Sequence, residues 1–254
     1  MSNSSLKSGQ VVSAMPNRFV RKLRGFADLT QRDVKVLVEA TSRARPYPAK
    51  FDLIREGDEP GPVIAVLAGW AFRYKILPSG TRQIMAFLMP GDACDLNIGL
   101  LAEMDHSIQT LTPATIAMVP RAEMVAILDS YPRIARAMYI AQLVDEGTLR
   151  AWIVSMGRRS SIERVAHLMC ELFIRVHAID GLSDEGLHLP MSQVMLADAL
   201  GMTPVHINRV LKHLRDARAL KMVRGAVTIS DPSNLVRIAG FDENYLHRRL
   251  RTAA

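Results

Sequence analysis

The residues whose types and spacing could do chemistry lie in one short stretch, Leu196–Leu214, where His206, Arg209 and His213 can share a helix face. They are interleaved with Ile207, Val210, Leu211 and Leu214, a spacing of i, i+3, i+4 and i+7 that makes one buried helical stripe. A helix that packs on its apolar side and turns donors outward can enter a DNA major groove and read base edges. Just upstream, Ala197 is small enough to let two helices approach. Gly201 follows four positions later, where a tight turn needs a permissive backbone. The pattern predicts a helix-turn-helix. An ordinary helical hairpin in a core would share the apolar stripe, and the flanking residues separate the two readings.

One flank is charge. From Thr203 to Gly225 the basic residues are Arg209, Lys212, Arg215, Arg218, Lys221 and Arg224, against the single acid Asp216. Displacing counterions from phosphates supplies much of the affinity for DNA, so such a local excess is its expected footprint. The net charge of the whole chain, +7, is milder and suits solubility equally well. The other flank is a pair of short strands, Leu220–Val223 and Ala226–Ile229, joined at Arg224-Gly225. A hairpin after the second helix makes a winged helix-turn-helix, and its turn would bring Arg224 near the sugar-phosphate backbone, a contact that positions without reading sequence.

A chain of 254 residues, 49% apolar, can bury a full core and is long enough for two domains. The opening MSNSSLKSGQVVSAMPN is polar and has no signal-peptide core, and no apolar run approaches the roughly 18 residues that span a bilayer. The expected setting is the cytoplasm, with no membrane partner. Cys94 and Cys170 are the only cysteines, too few for an iron–sulfur cluster or a structural zinc within one chain. Cys170 falls on a helix stripe, whereas Cys94, beside a glycine turn, is expected nearer the surface, where it could sense redox state.

Five segments follow. Residues 1–20 read as a flexible tail and residues 239–254 as a C-terminal one. Between residues 21 and 131, glycines at 57, 69, 80 and 91 punctuate strand-length runs such as Val63–Leu67, Ala71–Leu77 and Gln83–Met89, which suggests an antiparallel roll serving as a sensory domain. Pro132 opens a long helix, residues 132–157, whose apolar faces falter at Asp145-Glu146-Gly147-Thr148. A long helix between two compact domains is a natural dimerisation seam, unless it packs only against its own roll. Residues 158–238 form the DNA-binding domain. Ser160 would cap its first helix, striped by Ile162, Val165, Ala166, Met169, Leu172, Phe173 and Val176. A polar loop at 180–190 follows, and Ser192 would cap the helix after it.

In order and motifs, above all LADALGMTPVHINRVLKHL and the PGD at Pro90–Asp92, the chain resembles the Crp/Fnr superfamily of bacterial transcription regulators. The resemblance implies an α+β protein: an N-terminal antiparallel β-roll of the cyclic-nucleotide-binding kind, a long central dimerisation helix and a C-terminal winged helix-turn-helix. It implies a homodimer on double-stranded DNA carrying an inverted repeat, and makes RNA polymerase a candidate partner. Arg209 matches the family's guanine-reading arginine on the recognition helix. Val205 stands where many members carry glutamate, so it could touch a thymine methyl but could not accept from cytosine. Gln193 and Asn208 match positions that face phosphates. Thr203, Pro204, His206, Lys212 and Arg224 complete the candidate DNA-binding set.

Relatives that bind cyclic AMP neutralise its phosphate with an arginine in the loop corresponding to Gly91–Thr112. Between Gln83 and Pro120 this chain has neither lysine nor arginine, while Asp92, Asp95, Glu103 and Asp105 make the loop acidic. Burying a phosphodiester there without a cation would cost several kcal/mol. The expectation is no cyclic nucleotide and no cofactor, leaving an unknown small-molecule effector or none. His106, the only histidine among residues 1–157, reads as a surface loop residue rather than a haem or metal ligand. One histidine cannot build the metal site of a cupin enzyme, which the roll also resembles, and no nucleophile elbow or phosphate loop occurs. The alternative to a DNA-binding regulator is an effector-sensing or interaction module of the same fold that does not bind DNA.

Overall fold

A computed structural model describes residues 16–94, 101–180, 188–223 and 226–247. Two helices, α1 (Arg18–Arg24) and α2 (Gln31–Ala40), precede eight short strands. These are β1 (Arg45–Tyr47), β2 (Asp52–Ile54), β3 (Val63–Ala68), β4 (Ala71–Ile76), β5 (Arg82–Leu88), β6 (Ala93–Cys94), β7 (Ser107–Thr110) and β8 (Ala114–Val119). They form two antiparallel four-stranded sheets, ordered β1-β8-β3-β6 and β2-β7-β4-β5. The glycine-punctuated runs are therefore the strands of a roll, and β3, β4 and β5 match the expected segments to within a residue or two.

Helices α3 (Arg121–Ser130) and α4 (Pro132–Arg158) leave the roll, with Pro132 at the first turn of α4, where its missing N–H costs nothing. One face of α4 buries Ile134, Met138 and Trp152, while Tyr139, Leu143, Leu149 and Ile153 stay exposed. The faltering stripe at 145–148 has a packing reason. Gly147 lies so close to the C-terminal segment that an added Cβ would sit 2.5 Å from the Tyr245 carbonyl oxygen.

Helix α5 (Ser161–Asp180) begins at Ser160, whose amide donates to Glu163 Oε2 at 2.8 Å while its hydroxyl accepts from the Glu163 amide. Strand β9 (His188–Leu189) then precedes α6 (Gln193–Leu200) and α7 (Pro204–Asp216), and the hairpin β10 (Leu220–Val223) with β11 (Ala226–Ile229) follows. The end of the expected polar loop is thus a strand: β9 pairs with β11 and makes the wing three-stranded. Residues 181–187 of that loop lie outside the described residues, as does the wing turn at 224–225. Helix α8 (Pro232–Ala239) and a 3₁₀ turn, Glu243–Leu246, complete the described chain.

Both tail assignments need correction. Phe19 and Val20 are buried, because α1 lays them against β3 and α4, so the loose segment does not extend to residue 20. Phe241, Tyr245 and Leu246 pack inward rather than trailing away, held by the aromatic stack on His167 and by the close approach to Gly147. A single cluster of buried side chains joins the outer roll sheet (Phe72, Tyr74, Ile84, Phe87) to α5, α6 and α7. No described helix is long and apolar enough to cross a membrane.

Candidate nucleic-acid interface

Local chemistry sets the helix-turn-helix. The Ser192 hydroxyl accepts from the Met195 amide and starts α6. Gly201 ends it in the left-handed region at φ 62°, which glycine adopts at little cost, and the Met202 amide bonds the Ala197 carbonyl at 3.1 Å. Thr203 then caps α7 by accepting from the His206 amide, and Pro204 occupies the first turn. Arg164 fixes the unit from behind, donating to the carbonyls of Leu200, Met156 and Arg159 and so tying the ends of α4 and α6 together.

On α7 the expected stripe is the buried one: Ile207, Val210, Leu211 and Leu214 all face the core. Val205 is 64% exposed, and His206, Asn208, Arg209, Lys212 and His213 are exposed beside it. Thr203 and Pro204 are exposed at the helix start, Thr203 with its hydroxyl committed to the cap, and Gln193 is half-buried at the start of α6. Arg224 lies outside the described residues. Arg209, Lys212, Arg215, Arg218 and Lys221 form an exposed cationic surface, and among the described residues none of them is in an ion pair. Chemically this surface can donate hydrogen bonds and attract polyanions.

Within the roll, a cavity of about 500 Å³ opens between α1, β4, β5 and α4. The loop between Gln83 and Pro120 supplies no cation to it, but Arg73 of β4 and Lys22 of α1 reach its wall from outside that stretch. Asp105, Asp145 and Glu146 line it too, so acids outnumber the lysine and arginine. His106 is not a surface residue: it is buried, with Nδ1 2.6 Å from Asp105 Oδ1. Cys94 also departs from expectation, being 2% exposed in β6 with its Sγ 3.5 Å from the Ile64 carbonyl oxygen. Among the described residues no group of three or more histidine, cysteine or acidic side chains is placed to hold a metal.

Behind these features runs a buried ionic chain that no local pattern announces. Asp92, read as one acid of an acidic loop, is buried between Lys22 and Arg175. Burial alone would raise its carboxyl, but the two cations override that and hold it below the usual carboxylate range. Arg175 also reaches Glu171 Oε1 at 3.2 Å, and the other Glu171 oxygen accepts from Trp152 Nε1 at 2.9 Å and Tyr245 Oη at 3.1 Å. Glu171 is wholly buried, and burial pushes its carboxyl up despite these partners. Its place on a helix stripe otherwise full of hydrophobes was the only available signal.

Comparison with known proteins follows the same outline. Residues 163–238 match the family model of the Crp-like helix-turn-helix domain, and residues 44–131 that of the cyclic nucleotide-binding domain. The chain is 29% identical over 174 residues to the nitrogen fixation regulation protein FixK of Bradyrhizobium diazoefficiens, covering 68% of this chain and 72% of that protein. It is 24% identical over 212 residues to the transcriptional activator protein anr of Pseudomonas aeruginosa, covering 84% and 86%. The solved structure of FixK2 from Bradyrhizobium japonicum superposes with a TM-score of 0.66 at 23% identity, over 77% of this chain and 96% of that one.

Proposed function

We propose that this chain, which belongs to the Crp/Fnr superfamily of bacterial transcription regulators, binds an inverted-repeat operator as a homodimer, each copy laying α7 in a major groove. The observation that carries the reading is the cationic face of α7 and its surroundings, in no ion pair among the described residues and backed by a fully buried stripe. Half-sites then lie about 34 Å apart, one helical turn of DNA. Arg209 donates to a guanine edge, Val205 touches a thymine methyl, and His206 donates to a base or a phosphate. Gln193, Thr203, Asn208 and Lys212 face the backbone around Pro204, and Arg224, outside the described residues, is a further candidate for such a contact.

The homodimer rests on α4. Its exposed positions 139, 143, 146, 150, 153 and 157 recur at alternating steps of four and three, the seam of a coiled coil. Tyr139, Leu143 and Ile153, the last 71% exposed, are apolar surface awaiting a second copy, while Glu146 and Arg150 pair at 3.3 Å between them. The roll cavity argues against a cyclic nucleotide, because its acids outnumber its cations and Lys22 already serves Asp92. A regulator acting on chromosomal DNA, with no catalytic role, is placed in the cytoplasm.

The test is fluorescence anisotropy on operator and random duplexes across a salt series, with Arg209→Ala and Lys212→Ala. Arg209→Ala should lose about 1–3 kcal/mol on the operator alone and relax discrimination at one base position. Lys212→Ala should weaken both duplexes alike and lower the salt slope by about one. Equal losses on both duplexes for Arg209→Ala would remove its reading role, and salt-insensitive or absent binding would remove the function.

A further inference from the structure

Helices α4 and α5 meet at a short corner, Arg159-Ser160, with Arg159 in an extended conformation at φ −81° and ψ 146°. Such a corner pivots easily unless something holds both of its sides. The last carbonyls of a helix lack partners inside it, and the helix dipole makes them negative. Arg164, in the first turn of α5, gathers such carbonyls from two helices. Its Nη2 donates across the corner to Met156 at 2.9 Å and to Arg159 at 3.3 Å. Its Nη1 donates to Leu200, the last residue of α6, at 3.1 Å. Beyond the Gly201 turn, α7 starts at Pro204. One planar guanidinium thus sets α4, the corner and the helix-turn-helix at a fixed angle, which a lysine ammonium on its flexible stem could not reproduce.

Other contacts hold these elements in separate pairs. Trp152 and Glu171 join α4 to α5, and Arg82 joins α6 to the roll, whereas Arg164 holds α4 and α6 in one contact. We infer that Arg164 is a positioning residue that fixes the separation of the two recognition helices and so selects the spacing between operator half-sites. The inference rests on the operator-binding homodimer proposed above. With α4 at the dimer seam, any pivot at the corner swings α7 away from the two-fold axis, and symmetry doubles the displacement between copies. DNA reads that displacement finely. Each base pair of spacer moves the half-sites apart by about 3.4 Å and turns them by about a tenth of a helical turn.

The probes are duplexes enriched from a random library by the parent protein. They are rebuilt as the inverted repeat, as repeats with the spacer one or two base pairs longer or shorter, and as a single half-site. Affinities are read by fluorescence anisotropy for the parent, Arg164→Gln, Arg164→Lys and Lys212→Ala. The parent should prefer its best spacer at least tenfold over a change of two base pairs. Both Arg164 variants should flatten that preference to about threefold or less, with single half-site affinity within about twofold of the parent. Lys212→Ala should weaken every duplex and keep the parent's preference. A share of unfolded protein lowers all affinities by one factor, so the preference reports position rather than stability. A preference equal to the parent's in either Arg164 variant, or a loss on the single half-site as large as on the best repeat, would overturn the inference. A parent with no preference among spacers fails the dimeric reading itself, and this inference with it.

Discussion

Arg82 and Asp198, 116 residues apart in sequence, close an ion pair in which Arg82 Nε donates to Asp198 Oδ2 at 2.8 Å and Nη2 stands 2.7 Å from the same oxygen. The guanidinium is also held over the rings of Phe72 and Tyr74, 5.2 and 5.9 Å from their centroids. Next to it, the Gln83 side chain donates to the Ala199 carbonyl at 3.2 Å. The β4–β5 hairpin therefore grips α6 directly, and the roll and the helix-turn-helix share one apolar cluster beneath the grip.

A partly buried, preorganised pair of this kind should contribute more than an exposed one, whose usual worth is about 0–1 kcal/mol. A double-mutant cycle of Arg82→Met and Asp198→Asn, read by denaturant unfolding, should give a coupling of about 1–2 kcal/mol. Coupling within error of zero would show that the ion pair adds nothing to the grip of the apolar cluster and the Gln83 contact.

Gly147 and Tyr245 give a prediction in which two effects oppose each other. Alanine in a helix interior is favoured over glycine by about 1 kcal/mol. Here the added Cβ would stand 2.5 Å from a backbone oxygen, a contact that the 3₁₀ turn must move to relieve. Displacing that turn also disturbs Tyr245 Oη on Glu171. Gly147→Ala should therefore destabilise by about 1–3 kcal/mol, where an open helical glycine such as Gly157 should gain stability from the same change. A thermal melt of the two variants decides it, and a higher Tm for Gly147→Ala would show that the turn moves freely.

The parts read correctly from sequence are those where neighbouring residues settle the matter. The caps at Ser160 and Ser192, the turn at Gly201 and the α7 stripe all depend on partners within a few positions, which is the range of periodicity and capping arguments. Misreadings gather where a distant partner decides. Nothing near Cys94 says that β3 will cover it, and nothing near Asp92 names Lys22, 70 residues earlier, or Arg175, 83 later. His106 looks like a loop residue until the fold closes over it. The exposed cationic face of α7 was legible because exposure of a charged face is the default and needs no long-range partner.

The thiols offer a check on that correction. Burial pushes the Cys170 thiol up to about 12, and Cys94 is equally inaccessible to solvent. Since the thiolate is the reactive form, labelling of Cys170 by a disulfide reagent at pH 8 should be on the order of a thousand-fold slower than for a free thiol. The native protein should leave both cysteines unlabelled over minutes, and denaturation should release both. Rapid native labelling of one thiol, mapped to Cys94, would restore the redox-sensing role.

His167 sets a pH limit on how the C-terminal segment docks. It is 2% exposed, 4.8 Å from the Phe241 ring and stacked on Tyr245 at 5.7 Å. Burial first, and the Arg159 charge second, push its imidazolium down to about 4. In the unfolded chain the ring takes its proton near pH 6.5. Below that pH the unfolded state binds a proton that the folded state refuses, so stability present above pH 6.5 is lost as pH falls toward 4. At pH 5 the loss from this one group should reach about 2 kcal/mol. Other groups titrate over the same range, so the quantity to measure is a difference: unfolding free energy of the parent minus that of His167→Phe, at pH 7.5 and at pH 5. That difference should shift by about 2 kcal/mol in favour of the phenylalanine variant at the lower pH. A difference that stays constant would mean His167 is protonated in the folded protein, and the stack on Tyr245 would have to accommodate a cation.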